Sequence, residues 1–354
     1  MTNSEITRYR LLNQQISTHQ FDEPGKLVSW LGAVQAQDYY GAKWSLGLRI
    51  PGSTDEDIEI AISDKTLVRT WALRGTLHFL AAADIRWILK LLSPRLISIY
   101  GSYYRRLGLD KALVAKSNQV MYRTLRNGKQ LTRKELKIQL EKKGIATHEM
   151  RLSFLLLRAA LDGLICFGSR RDKEFTFTLL DEWIPVTKKL EGDEALAELT
   201  RRYFISHGPA TVQDFAWWSG LAIVDIKRGL EILKSDLNKE VVKGRTYWMP
   251  NNMKATTFQS KTIYLLPGFD EYIVAYKDRT AAIEAAHIKQ VMGAGNGLFN
   301  STIVINGRVR GTWKRTMRKD HVHIETNFFQ KLNKSKQIAL IAAKKRFAKF
   351  LGIS

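Results

Sequence analysis

The sequence carries a single cysteine, Cys166, which excludes an internal disulfide and any zinc site built from clustered cysteines. Proline is scarce too, and seven prolines with 24 glycines in 354 residues leave little room for a long disordered tail. No apolar run reaches the roughly 18 uncharged residues that a membrane span requires. The nearest approach, 152–167, is broken by Arg158 and Asp162. The opening residues 1–15 lack the apolar core of a secretory signal. Acids are the remaining shortage, with 34 Asp and Glu against 56 Lys and Arg and a net charge of +22. Together these features predict a reduced, cytoplasmic, folded protein of roughly two to three domains.

What is abundant is positive charge. Such an excess attracts polyanions, of which nucleic acid is the commonest inside a cell. Residues 103–143 hold twelve Lys and Arg against three acids, and residues 308–349 hold thirteen against two. Two separated basic blocks suit a surface that wraps its ligand, because the cations then come from more than one element.

The hydrophobic pattern is organised in repeats. Residues 6–14 form a short amphipathic helix, Glu23-Pro24 opens a second, and Thr54-Asp55-Glu56-Asp57 is an N-terminal signal before a third at 58–63. Two β-prone runs, 67–73 and 75–81, meet at Arg74-Gly75 as a hairpin. Helix, helix, helix, hairpin is the order of a winged helix-turn-helix. It recurs with helices at 94–107 and 109–126, a capping box from Thr132 to Glu135, a helix over 147–166 and a strand at 174–179. A third copy has helices at 195–207, 211–216 and 224–233 and a wing at 241–248. The copies share a pattern, not residues.

After Pro250 the runs 263–266, 273–275, 301–305, 308–313 and 322–326 are short and β-type, with Asn306-Gly307 as a hairpin turn. They read as a small β-barrel or open sheet, followed by a basic amphipathic helix over 335–351. The predicted fold is α+β, mainly α. Three tandem winged-helix units occupy 1–93, 94–185 and 186–250, and a small β-barrel with the basic helix occupies 251–354.

The stretch Gly32-Ala33-Val34-Gln35-Ala36-Gln37-Asp38 is the most unusual. Glutamine is seldom buried without partners, yet here two sit in an apolar surround. On a helix, residues two apart point roughly 200° from each other, whereas on extended backbone they point the same way. If the two act together, the helix from Pro24 must end near Leu31-Gly32 and leave Gln35 to Gln37 extended. The alternative is a helix with one exposed and one half-buried glutamine.

Five segments carry a resemblance: Val34-Gln35-Ala36-Gln37; the run from Arg69 through Arg74-Gly75 to His78-Phe79; His207-Gly208-Pro209-Ala210-Thr211; Leu266-Pro267-Gly268-Phe269-Asp270-Glu271-Tyr272; and Asn306-Gly307-Arg308-Val309-Arg310-Gly311-Thr312-Trp313-Lys314. In this order they resemble the winged-helix DNA glycosylase family typified by AlkZ and YcaQ, over nearly the whole chain. The resemblance implies three winged helices and a β-barrel forming a concave DNA-binding surface, excision of N7-alkylated purines and, in some members, unhooking of interstrand crosslinks. Its signature of glutamine, apolar residue, then glutamine or aspartate lands on Gln35 and Gln37, which places the chain in the AlkZ-like branch.

A site without carboxylates suits one class of substrate. Glycoside hydrolysis ordinarily needs one carboxylic acid to protonate the leaving group and a second carboxylate to handle water or the cation. An N7-alkylguanine is already cationic and departs as a neutral base, so no general acid is required. A glutamine offers acceptor lone pairs and two donors, enough to hold a water and face an oxocarbenium-like sugar. Asp38 is expected to be structural.

The expected activity is therefore a monofunctional DNA glycosylase hydrolysing the N-glycosidic bond of cationic N7-alkylpurines, with Gln35 and Gln37 catalytic, needing no cofactor and no metal. Its expected partner is double-stranded DNA, bound by a monomer in the cytoplasm on the nucleoid, without a membrane. The DNA-contacting set is Arg69, Arg74 and His78 on the first hairpin and Arg308, Arg310, Lys314 and Arg315 on a basic one. His78 has a second reading as a packed histidine bonding a backbone group. Asp270-Glu271-Tyr272 reads as a structural turn, Trp217-Trp218 as core, and 293–297 as a glycine-rich connection. No aromatic clamp is evident near Gln35, which suits a lesion admitted without deep extrusion. The alternative class is a non-catalytic winged-helix DNA-binding protein, and RNA binding is a third.

Overall fold

The computed structural model describes residues 1–185, 187, 189–251, 262–293, 297–318 and 321–353. Residues 294–296 of the glycine-rich connection lie outside the described residues. The chain opens with helix Asn3–Asn13, started by a capping box between Thr2 and Glu5. Pro24 begins helix Pro24–Leu31, where its missing N–H has no intrahelical partner to lose. Gly32, at φ 79°, ends that helix, and a Cβ there would press to 3.1 Å from the Trp218 ring. The chain emerges extended, as strand Val34–Gln35. Helix Tyr39–Arg49, which the sequence reading missed, is capped by Asp38. Helix Asp55–Ser63 follows, and the hairpin Leu67–Trp71 with Leu77–Ala81 turns at Arg74 and Gly75, both at positive φ. Val34–Gln35 pairs with the second hairpin strand, so the sheet order is first, third, second.

The series of helix, short strand, two helices and hairpin returns twice. Its second pass is Lys111–Leu125, Leu131–Thr132, Arg133–Glu141, Arg151–Leu161, then Ile165–Phe167 with Thr176–Leu179, in the same sheet order. The third is Gly192–His207, Val212–Ser219, Ile223–Ile232 and the hairpin Leu237–Val242 with Arg245–Pro250. Here the short strand shrinks to one bridge, Ala210 to Trp248. Thr132 and Thr211 each open their helices with a capping box.

Four expectations differ from the structure. Pro94 lies inside helix Ile85–Ile99, so the boundary between 93 and 94 falls within a helix; burial of Ile85, Trp87, Ile88, Leu89, Leu92 and Leu96 along one face outweighs the lost backbone bond. The helix expected over 147–166 ends at Leu161, and Ile165–Phe167 is a strand. The C-terminal strands Ile263–Leu266, Thr302–Ile305, Arg308–Met317 and Val322–Phe328 form an open antiparallel sheet, not a closed barrel. The expected fifth strand at 273–275 falls on helix Glu271–Val274 and its end, because Asp270 caps that helix by accepting from the Tyr272 amide at 2.9 Å. Helix Lys334–Phe350 covers the sheet and packs Phe347 4.9 Å from the Trp44 ring.

The first repeat is gripped from both sides. One core runs from Ala33 and Leu80 through the second and third repeats to Tyr276. Another joins Leu27, Trp44 and Phe79 to Leu265, Ile303 and Phe347. Among the described residues no helix is long and apolar enough to cross a membrane.

Candidate active site

Gln35 and Gln37 leave helix Pro24–Leu31 on extended backbone. Gln35 stands opposite His78 in the ladder, and the Ala36 amide continues the pairing by donating to the Leu77 carbonyl at 2.7 Å. Alternation along such a segment places Gln35 and Gln37 on one side and Ala36 on the other. Gln37 is exposed, and its amide oxygen accepts from the Leu77 N–H at 3.3 Å where a ladder partner would otherwise sit. Gln35 retains 7% exposure. Its Oε1 accepts from Arg74 Nη2 at 2.9 Å, and its backbone N–H donates to Glu271 Oε1 at 2.7 Å.

Glu271 is the residue that the sequence reading left unassigned. It is wholly buried, and its second oxygen accepts from the Trp218 indole N–H at 2.9 Å. His207 Nε2 lies 3.8 Å from that oxygen, beyond hydrogen-bond length. Burial opposes the carboxylate's charge, but the neighbouring His207 and His78 imidazoles and the Gln35 amide hold its pKa below the usual value. Asp270 anchors the turn through a two-pronged pair with Arg49 at 2.8 and 2.9 Å and a bond from Ser45. Two adjacent acids closing an apolar strand were the available signal; the groups they meet come from residues 35, 49 and 218, which no local pattern reveals.

The first hairpin, which carries three of the expected DNA-contacting residues, is interior. Arg69 is 5% exposed, donates twice to the Ala36 carbonyl at 3.0 and 3.2 Å, and lies 4.4 Å over the Phe175 ring. His78 is wholly buried, with Nδ1 2.9 Å from the Thr76 carbonyl. Both side chains are spent on backbone carbonyls inside the fold, and His78 packs as its second reading has it. Arg74 is half-buried, and besides Gln35 it bonds the carbonyls of Trp217 and Trp218. Trp218 is core as expected, but Trp217 is 40% exposed with Arg74 5.8 Å from its ring. Trp217 thus flanks the arginine that bonds Gln35.

A family model of AlkZ-like DNA glycosylases matches residues 28–350. The chain belongs to that family. Membership makes this AlkZ-like chain one of a family of enzymes named for cutting N-glycosyl bonds. It is similar to an interstrand DNA cross-link repair glycosylase of Streptomyces sahachiroi, 26% identical over 323 residues that span 88% of this chain and 87% of that protein. The solved structure of Streptomyces sahachiroi DNA glycosylase AlkZ superposes with a TM-score of 0.82 at 24% identity, covering 100% of this chain and 98% of that one.

In the AlkZ-like fold the basic hairpin divides. Arg308 and Arg310 share Glu284, at 3.7 and 2.7 Å. Lys314 is exposed opposite Glu325. Arg315 lies 3.5 Å from Asp38, one residue beyond Gln37, so this end of the strand borders the site. Asp38 accepts from the Gly41 amide at 3.0 Å, the structural role expected of it. Among the described residues no group of three or more His, Cys, Asp or Glu could hold a metal ion.

Proposed function

We propose that this chain is a monofunctional glycosylase hydrolysing the N-glycosidic bond of cationic N7-alkylpurines in duplex DNA, with Gln35 and Gln37 at the reacting bond. The observation that supports this most is the pair of side-chain amides carried on one side of extended backbone, one fixed and one exposed, beside an exposed tryptophan and a basic strand. Between them the two amides offer a lone pair to hold a water against the sugar as its positive charge develops, and N–H donors to hold the substrate. With no acid to protonate a departing base, the site acts only where alkylation has already made the base a good leaving group. Unmodified purines are expected to resist.

We read the three repeats as winged-helix units, with domain divisions near those expected from sequence, and the duplex as lying across their basic faces. One chain supplies all three units, so a monomer suffices, acting in the cytoplasm on the nucleoid. The cross-link repair named for the Streptomyces sahachiroi relative supports extending the substrates to bridged N7 adducts.

The test is single-turnover base release from a duplex carrying one N7-methylguanine, read as heat-labile abasic sites. Wild-type protein is expected to release the base, and Gln35→Ala and Gln37→Ala to lose on the order of 100- to 1,000-fold in rate while keeping duplex affinity. Tight salt-dependent binding without product would leave only a DNA-binding scaffold.

A further inference from the structure

Gln35 is held at its side chain by Arg74, which leaves the amide one orientation, and at its backbone by Glu271. Arg74 has no acceptor, so the atom 2.9 Å from its Nη2 must be the Gln35 oxygen. Arg74 is itself fixed by the carbonyls of Trp217 and Trp218, and its own carbonyl accepts from Tyr100 Oη at 2.9 Å. At the other end the Gln35 backbone N–H donates to a buried carboxylate that also receives the Trp218 indole, which fixes the strand from which the side chain extends. Two donors converge on Glu271, and a carboxylate meets both with acceptors, whereas an amide of the same shape offers one acceptor and one donor.

We propose that Arg74 and Glu271 are positioning residues that lock Gln35 with its NH2 group outward, so that Gln35 serves as a hydrogen-bond donor to the DNA substrate and the water-holding carbonyl belongs to Gln37. Gln37 fits the second role because its oxygen has only a 3.3 Å bond from Leu77 and the side chain is exposed. The division of labour rests on the reading of both glutamines as catalytic. It also moves Arg74 from the phosphate-contacting set to the machinery behind the bond.

The experiment compares Arg74→Met, Glu271→Gln and Gln35→Glu with wild type on the N7-methylguanine duplex, measuring single-turnover rate at saturating protein, duplex Kd and its salt dependence. Arg74→Met and Glu271→Gln should each slow base release on the order of 100-fold, because a small misplacement of a reacting group costs that much. Kd and salt slope should stay unchanged for both. Gln35→Glu keeps size and the contact with Arg74 but replaces the outward donor by an acceptor, and is expected to be as inactive as Gln35→Ala. A salt slope lowered by about 0.9 with the rate intact in Arg74→Met would make Arg74 a phosphate contact and overturn the assignment. Near-normal rate in Gln35→Glu would overturn it as well, by making the carbonyl the working group. If wild-type protein itself released no base, the proposed function would fail and take this assignment with it. An active wild type with unaffected variants would sink the clamp alone.

Discussion

His78 donates from Nδ1 to the Thr76 carbonyl, which leaves Nε2 as a sealed nitrogen without a protein partner. Burial, reinforced by the Arg74 charge and opposed by Glu271, pushes its pKa down from 6.5 to about 4. The native imidazole therefore stays neutral while an unfolded one takes a proton. This contribution to stability is present above pH 6.5, is lost as pH falls toward 4, and changes little below that. At pH 5 the loss is about 2 kcal/mol. Urea denaturation at pH 7 and pH 5 should show that His78→Leu escapes about that much of the acid destabilisation. An identical pH response in the two proteins would mean that another group carries it.

At the scale of the element, the helix caps and the Arg74-Gly75 turn were legible because each is written in neighbouring residues, whereas the extended glutamine segment followed only on the condition that both glutamines act together. Thr54, Thr132 and Thr211 all cap the helices they were expected to start. Helix Tyr39–Arg49 was not, since it is buried along nearly its whole length and shows no polar face to give it a period. The hairpin's burial was hidden for the opposite reason. Its arginines have the composition of a solvated wing, but the third-repeat tryptophans and the phenylalanines at 167 and 175 close over it. Arg69→Met should consequently destabilise the fold by about 1–3 kcal/mol, through the orphaned Ala36 carbonyl, and leave the duplex affinity of the folded protein intact. Denaturant unfolding alongside a binding titration separates the two effects. Weakened binding at unchanged stability would return Arg69 to the DNA surface.

For the whole molecule, the net charge of +22 predicted a polyanion partner before any fold was known. It could not say which cations are free to meet one. Arg308 and Arg310 are answered by Glu284, whereas Lys314 is exposed, with Glu325 as its cross-strand neighbour. Lys314→Ala should lower the log–log salt slope of duplex binding by about 0.9, the release of one counterion, and Arg310→Ala by less. Equal slopes in all three proteins would place the duplex elsewhere. Glu271, too, was beyond the reach of sequence reading, because its partners at 35 and 218 are assembled only by tertiary packing.

The floor beneath Gln35 is supplied from residue 271, after the third repeat has ended at Pro250. Truncation at that proline would take away both this carboxylate and the sheet residues Leu265 and Ile303 that pack with Trp44 and Phe79, so the glutamine strand and the core behind it stand or fall together.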